Sequence, residues 1–145
     1  MSYESGILRN WYLLFHYGSP EEILDGLGFD PAGLPARCLD FPVTTVEAAE
    51  LSGPVARALD LGCAVGRSSL ELSRIAGEVI GIDFSAGFIE VAERVRKGEP
   101  VTCARYGEMH LSQTLAVRRP AGVFPERVRF ETGDAMNLRE DLGSF

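Results

Sequence analysis

The sequence predicts an α/β fold: a parallel sheet whose strands alternate with helices, preceded by a helical cap. Three short apolar runs, at 56–61, 78–83 and 127–132, carry the prediction. The first run leads into a turn of small residues at 62–66, and 68–76 then shows helical spacing. Strands separated by helical segments are typical of βαβ units. We therefore expect the first three strands of a doubly wound sheet.

Length, composition and net charge limit the class of protein. A chain of 145 residues with 46% hydrophobic and 24% charged residues is one ordinary globular domain. The net charge of −7 argues against a nucleic-acid partner, which usually needs a basic face. No apolar run has the length of a membrane span, so we expect no membrane partner. Cys38, Cys63 and Cys103 form neither a disulfide framework nor a zinc pattern, which predicts a cytoplasmic protein without a metal site.

Residues 1–54 are predicted to form the helical cap. Apolar residues recur at helical spacing across 3–17, and Gly18 is placed to end that helix. Ser19 and Glu22 have the spacing of a capping box, which starts a second helix.

Two connections are predicted to be irregular. The segment 25–42 is rich in glycine and proline and reads as a loop, after which Thr44 or Thr45 is expected to cap a short helix that runs to Leu51. The interval 101–126 has no clear period, and so long a connection is more often functional or mobile than incidental.

The sequence also predicts a helix after the second strand and an irregular segment at the end of the chain. Ser85 is predicted to cap a helix that ends before Gly98. The last residues, 137–145, read as a turn and a loop.

The turn after the first strand has the pattern D-x-G-x-A-x-G, formed by Asp60, Gly62, Ala64 and Gly66. A strand, a tight turn and a helix start can direct backbone N–H groups toward an anion. A dinucleotide fingerprint requires a third glycine five residues after the first, where this chain has Arg67. The pattern therefore disfavours a nicotinamide-dependent oxidoreductase.

Acidic residues end or follow the other two predicted strands. Asp83 lies seventeen residues after Gly66, close to the interval at which an acid meets a ribose in nucleotide-binding units. Its carboxylate can accept charge-assisted hydrogen bonds from both ribose hydroxyls. Asp134 follows the third strand and is a candidate for adenine recognition, although Gly-Asp is also common in turns. All three strand ends are expected at one edge of the sheet, where α/β folds bind ligands.

The chain resembles the methyltransferase domain that ends ovothiol-synthesis enzymes, described as a 4-mercaptohistidine N1-methyltransferase. The resemblance lies in 3–5, 12–18, 59–69, 79–85, 128–135 and 137–145. It implies a Rossmann-like class I fold, S-adenosylmethionine as cofactor, and methyl transfer to the imidazole of a thiol-histidine as the small-molecule substrate.

The motifs and this resemblance together indicate the site residues. Cofactor binding is predicted for Asp60, Gly62, Cys63, Ala64, Gly66, Arg67, Ser68, Asp83, Phe84, Gly133, Asp134 and Ala135. His16 and Tyr17 are candidates for the substrate pocket, with a packed helix end as the alternative. Arg105, Tyr106, Glu108 and His110 could bind an amino acid or form a solvated loop. The catalytic base is not indicated.

The related domain continues beyond the position of Phe145 with a fourth strand, and it follows an iron-dependent sulfoxide synthase that this sequence lacks. We therefore expect 55–145 to be the N-terminal half of the cofactor domain, inactive by itself. Its first strand, 58–61, would have an unpaired edge open to a complementary chain or to self-association. The alternatives are a class I methyltransferase acting on another small molecule and a non-catalytic nucleotide-binding module.

Overall fold

The computed structural model describes residues 6–24, 28, 30, 33–34, 37–49, 53–106 and 112–145. Its helices are α1 (Gly6–Tyr17), α2 (Pro20–Leu24), α3 (Phe41–Ala48), α4 (Arg67–Leu72) and α5 (Ala86–Lys97). Its strands are β1 (Val55–Leu61), β2 (Ala76–Asp83), β3 (Val101–Tyr106), β4 (Ser112–Val117) and β5 (Val128–Thr132). The predicted first helix starts at Gly6 in this structure, and residues 3–5 lie outside the described part.

A parallel sheet in the order β1-β2-β5 forms the centre of the fold, which confirms the predicted α/β class. Leu61 pairs with Ile82, and Asp83 pairs with Thr132. The carboxyl ends of the three strands therefore lie at one edge, as expected. Within the described residues β1 pairs with β2 alone, so it lies at the side of the sheet.

Helices α4 and α5 pack against one face of this sheet and form the main core. Its most deeply buried large side chains include Leu70, Val79, Phe88, Val95 and Val128. Burying one such side chain contributes about 1.5–3 kcal/mol.

The opposite face of the sheet is covered by the end of the chain. Leu142, in a 3₁₀ turn, packs there against Ile80 and Ile82. The Arg57 guanidinium joins the two parts: its Nε lies 2.6 Å from a Glu78 carboxylate oxygen, and its Nη1 donates to the Leu142 carbonyl at 3.2 Å. The segment predicted as a turn and loop is thus anchored to the sheet.

Helix α4 is shorter than the predicted 68–76. It ends at Leu72, and Ala76 already belongs to β2, where it pairs with Val55. The Val55 N–H donates to the Ile75 carbonyl at 2.9 Å. Pairing of β2 with β1 therefore ends the helix before residues 73–76, which local periodicity assigned to it.

The interval 101–126 is the clearest correction, because β3 and β4 form an antiparallel hairpin within it. Cys103 and Leu115 are paired in register and are both buried. The Asn10 side chain of α1 hydrogen-bonds to both the N–H and the carbonyl of Ala104. Docking on α1 stabilises a hairpin that has little signal in the local sequence.

Helix α3 also differs from its prediction. It begins at Phe41, and the two threonines lie inside it: the Thr44 hydroxyl donates to the Asp40 carbonyl at 3.1 Å, and that of Thr45 to the Phe41 carbonyl at 2.8 Å. Neither threonine is therefore the N-cap. The predicted end at Leu51 lies outside the described residues.

The predicted caps of the other helices are confirmed. The Ser19 N–H donates to Glu22 Oε2 at 2.8 Å, and the Glu22 N–H donates to Ser19 Oγ at 3.1 Å, which completes the capping box. Ser85 Oγ accepts a hydrogen bond from the Phe88 N–H at 3.2 Å at the start of α5. Gly98 ends α5 in the left-handed conformation.

Candidate functional site

A cavity of about 400 Å³ opens at the carboxyl edge of the sheet, where β1, β2 and β5 all end. It is lined by Gly62, Ile82, Asp83, Phe84, Ser85, Gly133, Asp134 and Ala135. Six of the twelve predicted cofactor residues are in this lining: Gly62, Asp83, Phe84, Gly133, Asp134 and Ala135. The structure thus brings together residues from three strand ends that are far apart in the chain.

The turn between β1 and α4 uses the left-handed region at Gly62, Ala64 and Gly66, with φ values of 74°, 48° and 83°. A Cβ at Gly66 would lie 2.5 Å from the Phe130 ring, so close packing requires glycine there. A Cβ at Gly62 would meet no atom within 4 Å. Gly62 therefore borders open space, where a ligand can approach the backbone.

Several N–H groups of the turn are already bonded within the protein. Those of Gly62 and Cys63 donate to the Ile82 carbonyl at 2.8 and 3.1 Å, and that of Ala64 donates to Asp83 Oδ2 at 2.9 Å. The expectation that the turn directs its N–H groups to an anion is therefore wrong for these three. Their hydrogen bonds instead attach the turn to the end of β2.

Asp83 has two structural hydrogen bonds and faces the cavity. Its Oδ2 accepts from the Ala64 N–H, and its Oδ1 accepts from the Ser85 N–H at 2.8 Å. A carboxylate has about four lone-pair sites, so each oxygen retains capacity for another donor. The same group can hold the turn, begin α5 and accept hydroxyl groups of a ligand.

Asp60 lies beneath the turn rather than in the cavity lining. Its Oδ2 accepts a hydrogen bond from Ser69 Oγ at 2.6 Å and so joins β1 to α4. Burial raises the pKa of Asp60, and the charge of Asp83 adds to that rise. A Cβ at Gly81 would lie 2.6 Å from Ser69 Oγ, so this glycine leaves room for the contact.

Three further predicted cofactor residues are in packed positions. Cys63 and Ala64 are only 3% and 5% exposed, and Ala64 belongs to the main core. Burial raises the pKa of the Cys63 thiol, which is consistent with a small packed thiol rather than a nucleophile. Ser68 Oγ donates to the Pro42 carbonyl at 3.4 Å and so connects α4 to α3.

Arg67 connects the start of α4 to the end of α1. Its Nε lies 2.9 Å from a Glu71 carboxylate oxygen, and its Nη1 donates to the His16 carbonyl at 3.2 Å. Its guanidinium lies 5.6 Å from the centre of the Tyr17 ring. The Tyr17 hydroxyl donates to the Val65 carbonyl at 2.8 Å. Helix α1 is thus bonded directly to the turn that borders the cavity.

A second concave region, here called the aromatic pocket, lies where α1 meets α3. Its volume is about 330 Å³, and it is lined by Trp11, Tyr12, Phe15, His16 and Phe41. His16, predicted for a substrate pocket, is in this lining, whereas the Tyr17 hydroxyl is bonded to Val65. Sequence reasoning missed the other four residues. The i, i+4 spacing of Trp11 and Phe15 was an available signal, but Phe41 is distant in the chain.

His16 is buried within this lining, with 7% of its surface exposed. Burial lowers the pKa of His16 to about 4, and the charge of Arg67 acts in the same direction. Among the described residues its Nδ1 has no hydrogen-bond partner. A neutral imidazole with an unpaired nitrogen therefore borders an apolar space.

Two of the remaining candidates, Asp134 and Arg105, form hydrogen bonds close to their own positions. Asp134 Oδ1 accepts a hydrogen bond from the Met136 N–H at 2.8 Å, so it also stabilises its own turn. Arg105 Nη2 donates to Gln113 Oε1 at 3.0 Å across the hairpin. The side chain of Tyr106, together with Glu108 and His110, lies outside the described residues.

Residues 58–118 match a methyltransferase domain family. The matched segment contains the second half of β1, the turn, Asp83 and the hairpin. This segment of the chain is therefore similar to a methyltransferase domain, as the sequence predicts.

Two solved structures are similar to part of the chain. The YcgJ protein of Bacillus subtilis is 25% identical with a TM-score of 0.44, and the match covers 68% of this chain and 32% of that one. The magnesium protoporphyrin IX methyltransferase of Synechocystis PCC 6803, solved with bound S-adenosylmethionine, is 20% identical with a TM-score of 0.41; the match covers 66% of this chain and 44% of that one. The chain thus spans less than half of either structure. A comparison with curated proteins finds no match. In the described ranges, no helix is long and apolar enough to cross a membrane.

Proposed function

We propose that this chain is the cofactor-binding part of an S-adenosylmethionine-dependent N-methyltransferase that acts on the imidazole of a thiol-histidine. The observation that carries the proposal is the position of Asp83, at the end of β2 and facing the cavity, within the matched methyltransferase segment. The thiol-histidine acceptor is supported by the sequence resemblance alone.

The cavity residues suit the parts of the cofactor. Asp83 accepts the ribose hydroxyls with the lone pairs that its two backbone hydrogen bonds leave over. Phe84 is 75% exposed beside it and offers a flat face to the adenine ring. Asp134 accepts from the adenine amino group, and the open space at Gly62 lets the cofactor pass close to the backbone.

The cofactor supplies an electrophilic methyl group on its sulfonium. When bound, it would pass this methyl group to the imidazole nitrogen of the acceptor and leave as S-adenosylhomocysteine with the electron pair on sulfur, and the N–H proton of the methylated ring would pass to solvent. The protein's task is to hold the nitrogen in line with that bond, and positioning of this kind can lower a barrier by about 7–11 kcal/mol.

The open side of β1 is part of the proposal. Within the described residues, β1 has a strand neighbour on one side only. An unpaired edge is a template for another strand. We infer that a strand from a longer form of this chain, from a complementary chain or from a second copy pairs there and completes the site. The cysteines Cys38, Cys63 and Cys103 are free thiols, which fits the proposed cytoplasmic location.

Titration calorimetry with S-adenosylhomocysteine and with NAD tests the cofactor. Binding of S-adenosylhomocysteine in preference to NAD is expected, and the reverse preference would exclude a methyltransferase. The acceptor is tested by assaying methyl transfer to 5-thiohistidine, with the 145-residue chain and with a chain extended by the following strands of a related enzyme. Methylation of 5-thiohistidine by the extended chain supports the proposal. If the extended chain binds S-adenosylhomocysteine but leaves 5-thiohistidine unmodified, the enzyme class stands and the acceptor is wrong.

A further inference from the structure

We propose that the aromatic pocket binds a planar heteroaromatic ring of the methyl acceptor, and that the imidazole of His16 is its hydrogen-bond partner there. This inference rests on the proposed function, since it assigns a place to that acceptor. The volume of about 330 Å³ fits a small ring with a substituent.

The arrangement of the rings favours a flat ligand. Phe15 and Phe41 are stacked, with centroids 5.5 Å apart and 28° between their planes, and His16 meets the Phe41 ring edge-on at 5.2 Å. Trp11, Phe15 and Phe41 remain 52%, 40% and 41% exposed. Aromatic rings prefer offset-stacked and edge-to-face neighbours, so a further ring can extend this cluster and cover its exposed surface.

His16 supplies the polar requirement of the pocket. Its Nδ1 is buried and has no hydrogen-bond partner among the described residues, which is unfavourable; rotation of the ring about its Cβ–Cγ bond would turn this nitrogen toward the pocket, where a ligand can pair with it. Burial and the charge of Arg67 lower the pKa of His16 to about 4, so the ring is neutral near pH 7. A neutral imidazole has one donor and one acceptor. An uncharged heterocycle with a ring nitrogen or N–H complements it better than a carboxylate or an ammonium group.

The pocket is attached to the turn that borders the cofactor cavity. The Tyr17 hydroxyl donates to the Val65 carbonyl at 2.8 Å, and Arg67 Nη1 donates to the His16 carbonyl at 3.2 Å. These hydrogen bonds join residues 16–17 of α1 to residues 65–67 in the turn and at the start of α4. An acceptor ring bound in the pocket is therefore connected through α1 to the turn.

The chain contains an internal probe for this proposal, because Trp11 is its single tryptophan and lies in the pocket lining. The fluorescence of Trp11 in the 145-residue protein is titrated with 5-thiohistidine, with 4-methylimidazole as the ring alone, and with leucine as an aliphatic control. We expect a saturable change with both imidazoles and none with leucine.

Two variants test whether binding of the imidazoles depends on the aromatic pocket. His16→Phe keeps an aromatic ring and removes both nitrogens, and we expect about tenfold weaker binding of 4-methylimidazole. Phe124→Leu is the matched control, because Phe124 is an exposed ring that stacks on Arg127 outside the pocket; its affinity should equal that of the wild type. Circular dichroism checks that each variant is folded.

Three results would overturn the inference. Equal affinity of folded His16→Phe and wild type would remove His16 as the partner. An equal response to leucine would show a non-selective apolar surface. A Trp11 signal that varies with protein concentration, with dimers in sedimentation, would show that a second copy covers the pocket. S-adenosylhomocysteine binding is measured separately: if it fails while the imidazoles bind saturably, the proposed function fails and the ring site remains.

Discussion

Asp83 Oδ2 accepts a hydrogen bond from the Ala64 N–H at 2.9 Å, which joins the end of β2 to the turn after β1. Ala64 has a φ of 48°, a left-handed conformation that is unfavourable for a residue with a side chain. A charge-assisted hydrogen bond to this N–H helps to hold that conformation. The carboxylate proposed to bind ribose is therefore also part of the framework of its own site.

Asp83→Ala is expected to weaken S-adenosylhomocysteine binding by about 1.5–3 kcal/mol, because it removes hydrogen bonds to a charged group. It should also lower the free energy of unfolding, since the Ala64 and Ser85 N–H groups lose their acceptor. Calorimetry and urea unfolding measure the two effects. Asp83→Asn retains one oxygen and should be intermediate in both, whereas Asp141→Ala, at an exposed ion pair, is the control. Unchanged affinity in a folded Asp83→Ala protein would remove Asp83 from the site.

Ala64→Gly should change the free energy of unfolding by less than about 1 kcal/mol, because relief of the left-handed strain offsets the lost methyl contact. Ala64→Leu should destabilise the fold by about 1–3 kcal/mol, since Ala64 is buried in the core. The pattern of small residues alone predicts a different result for leucine, namely a blocked ligand in a stable fold. Urea unfolding of both variants decides between the two, and an Ala64→Leu protein as stable as the wild type would contradict the packing explanation.

Two glycines of the turn form a matched pair. Gly66→Ala should lower the free energy of unfolding by about 3 kcal/mol or more, because a Cβ there lies 2.5 Å from the Phe130 ring and the backbone is left-handed. The added Cβ of Gly62→Ala would meet no atom within 4 Å, so only the left-handed conformation should lower the free energy of unfolding, by about 1–2 kcal/mol. Gly62→Ala should in addition weaken S-adenosylhomocysteine binding, since Gly62 lines the cavity. Equal unfolding energies for the two variants would argue against the close contact with Phe130.

The pH dependence of stability should contain a contribution from His16. Its pKa is about 4 in the folded protein and 6.5 ordinarily, so between these values the unfolded chain binds more protons. Stability from this group is therefore present above about pH 6.5 and falls as the pH is lowered toward 4, by roughly 3 kcal/mol in total. Urea unfolding at about pH 7 and about pH 4.5 measures this, and His16→Phe should show a smaller loss than the wild type. Equal losses in the two proteins would contradict the shifted pKa.

The side of β1 that has no strand neighbour among the described residues should make the chain associate as its concentration rises, because unpaired strands recruit other strands. Ala56→Lys places a charge on an exposed position of β1 and should reduce association in sedimentation velocity. Thr102→Lys adds the same charge to an exposed position of the hairpin and is the control. A wild-type chain that stays monomeric at all concentrations would show that this edge needs no partner.

Local hydrogen bonds explain which parts of the fold were predictable from the sequence. The capping box of Ser19 and Glu22 and the cap of Ser85 on Phe88 each join residues three apart, so the residue types alone specify them. The apolar runs and the acid at the end of β2 likewise lie within a few residues of one another. These features were enough for the parallel sheet, the edge at which its strands end and the place of Asp83.

Contacts between distant segments determined the features that the sequence did not predict. The end of α4 depends on the Val55 N–H reaching the Ile75 carbonyl, and the hairpin is docked by Asn10 on Ala104, ninety-four residues away. Phe15 and Phe41 become stacked neighbours only when α3 packs near α1. Periodicity and capping describe a chain's interactions with itself over a few residues. Burial of Ala64 and His16, and with it the neutral imidazole of the aromatic pocket, exists only once the helices and the sheet have excluded water together.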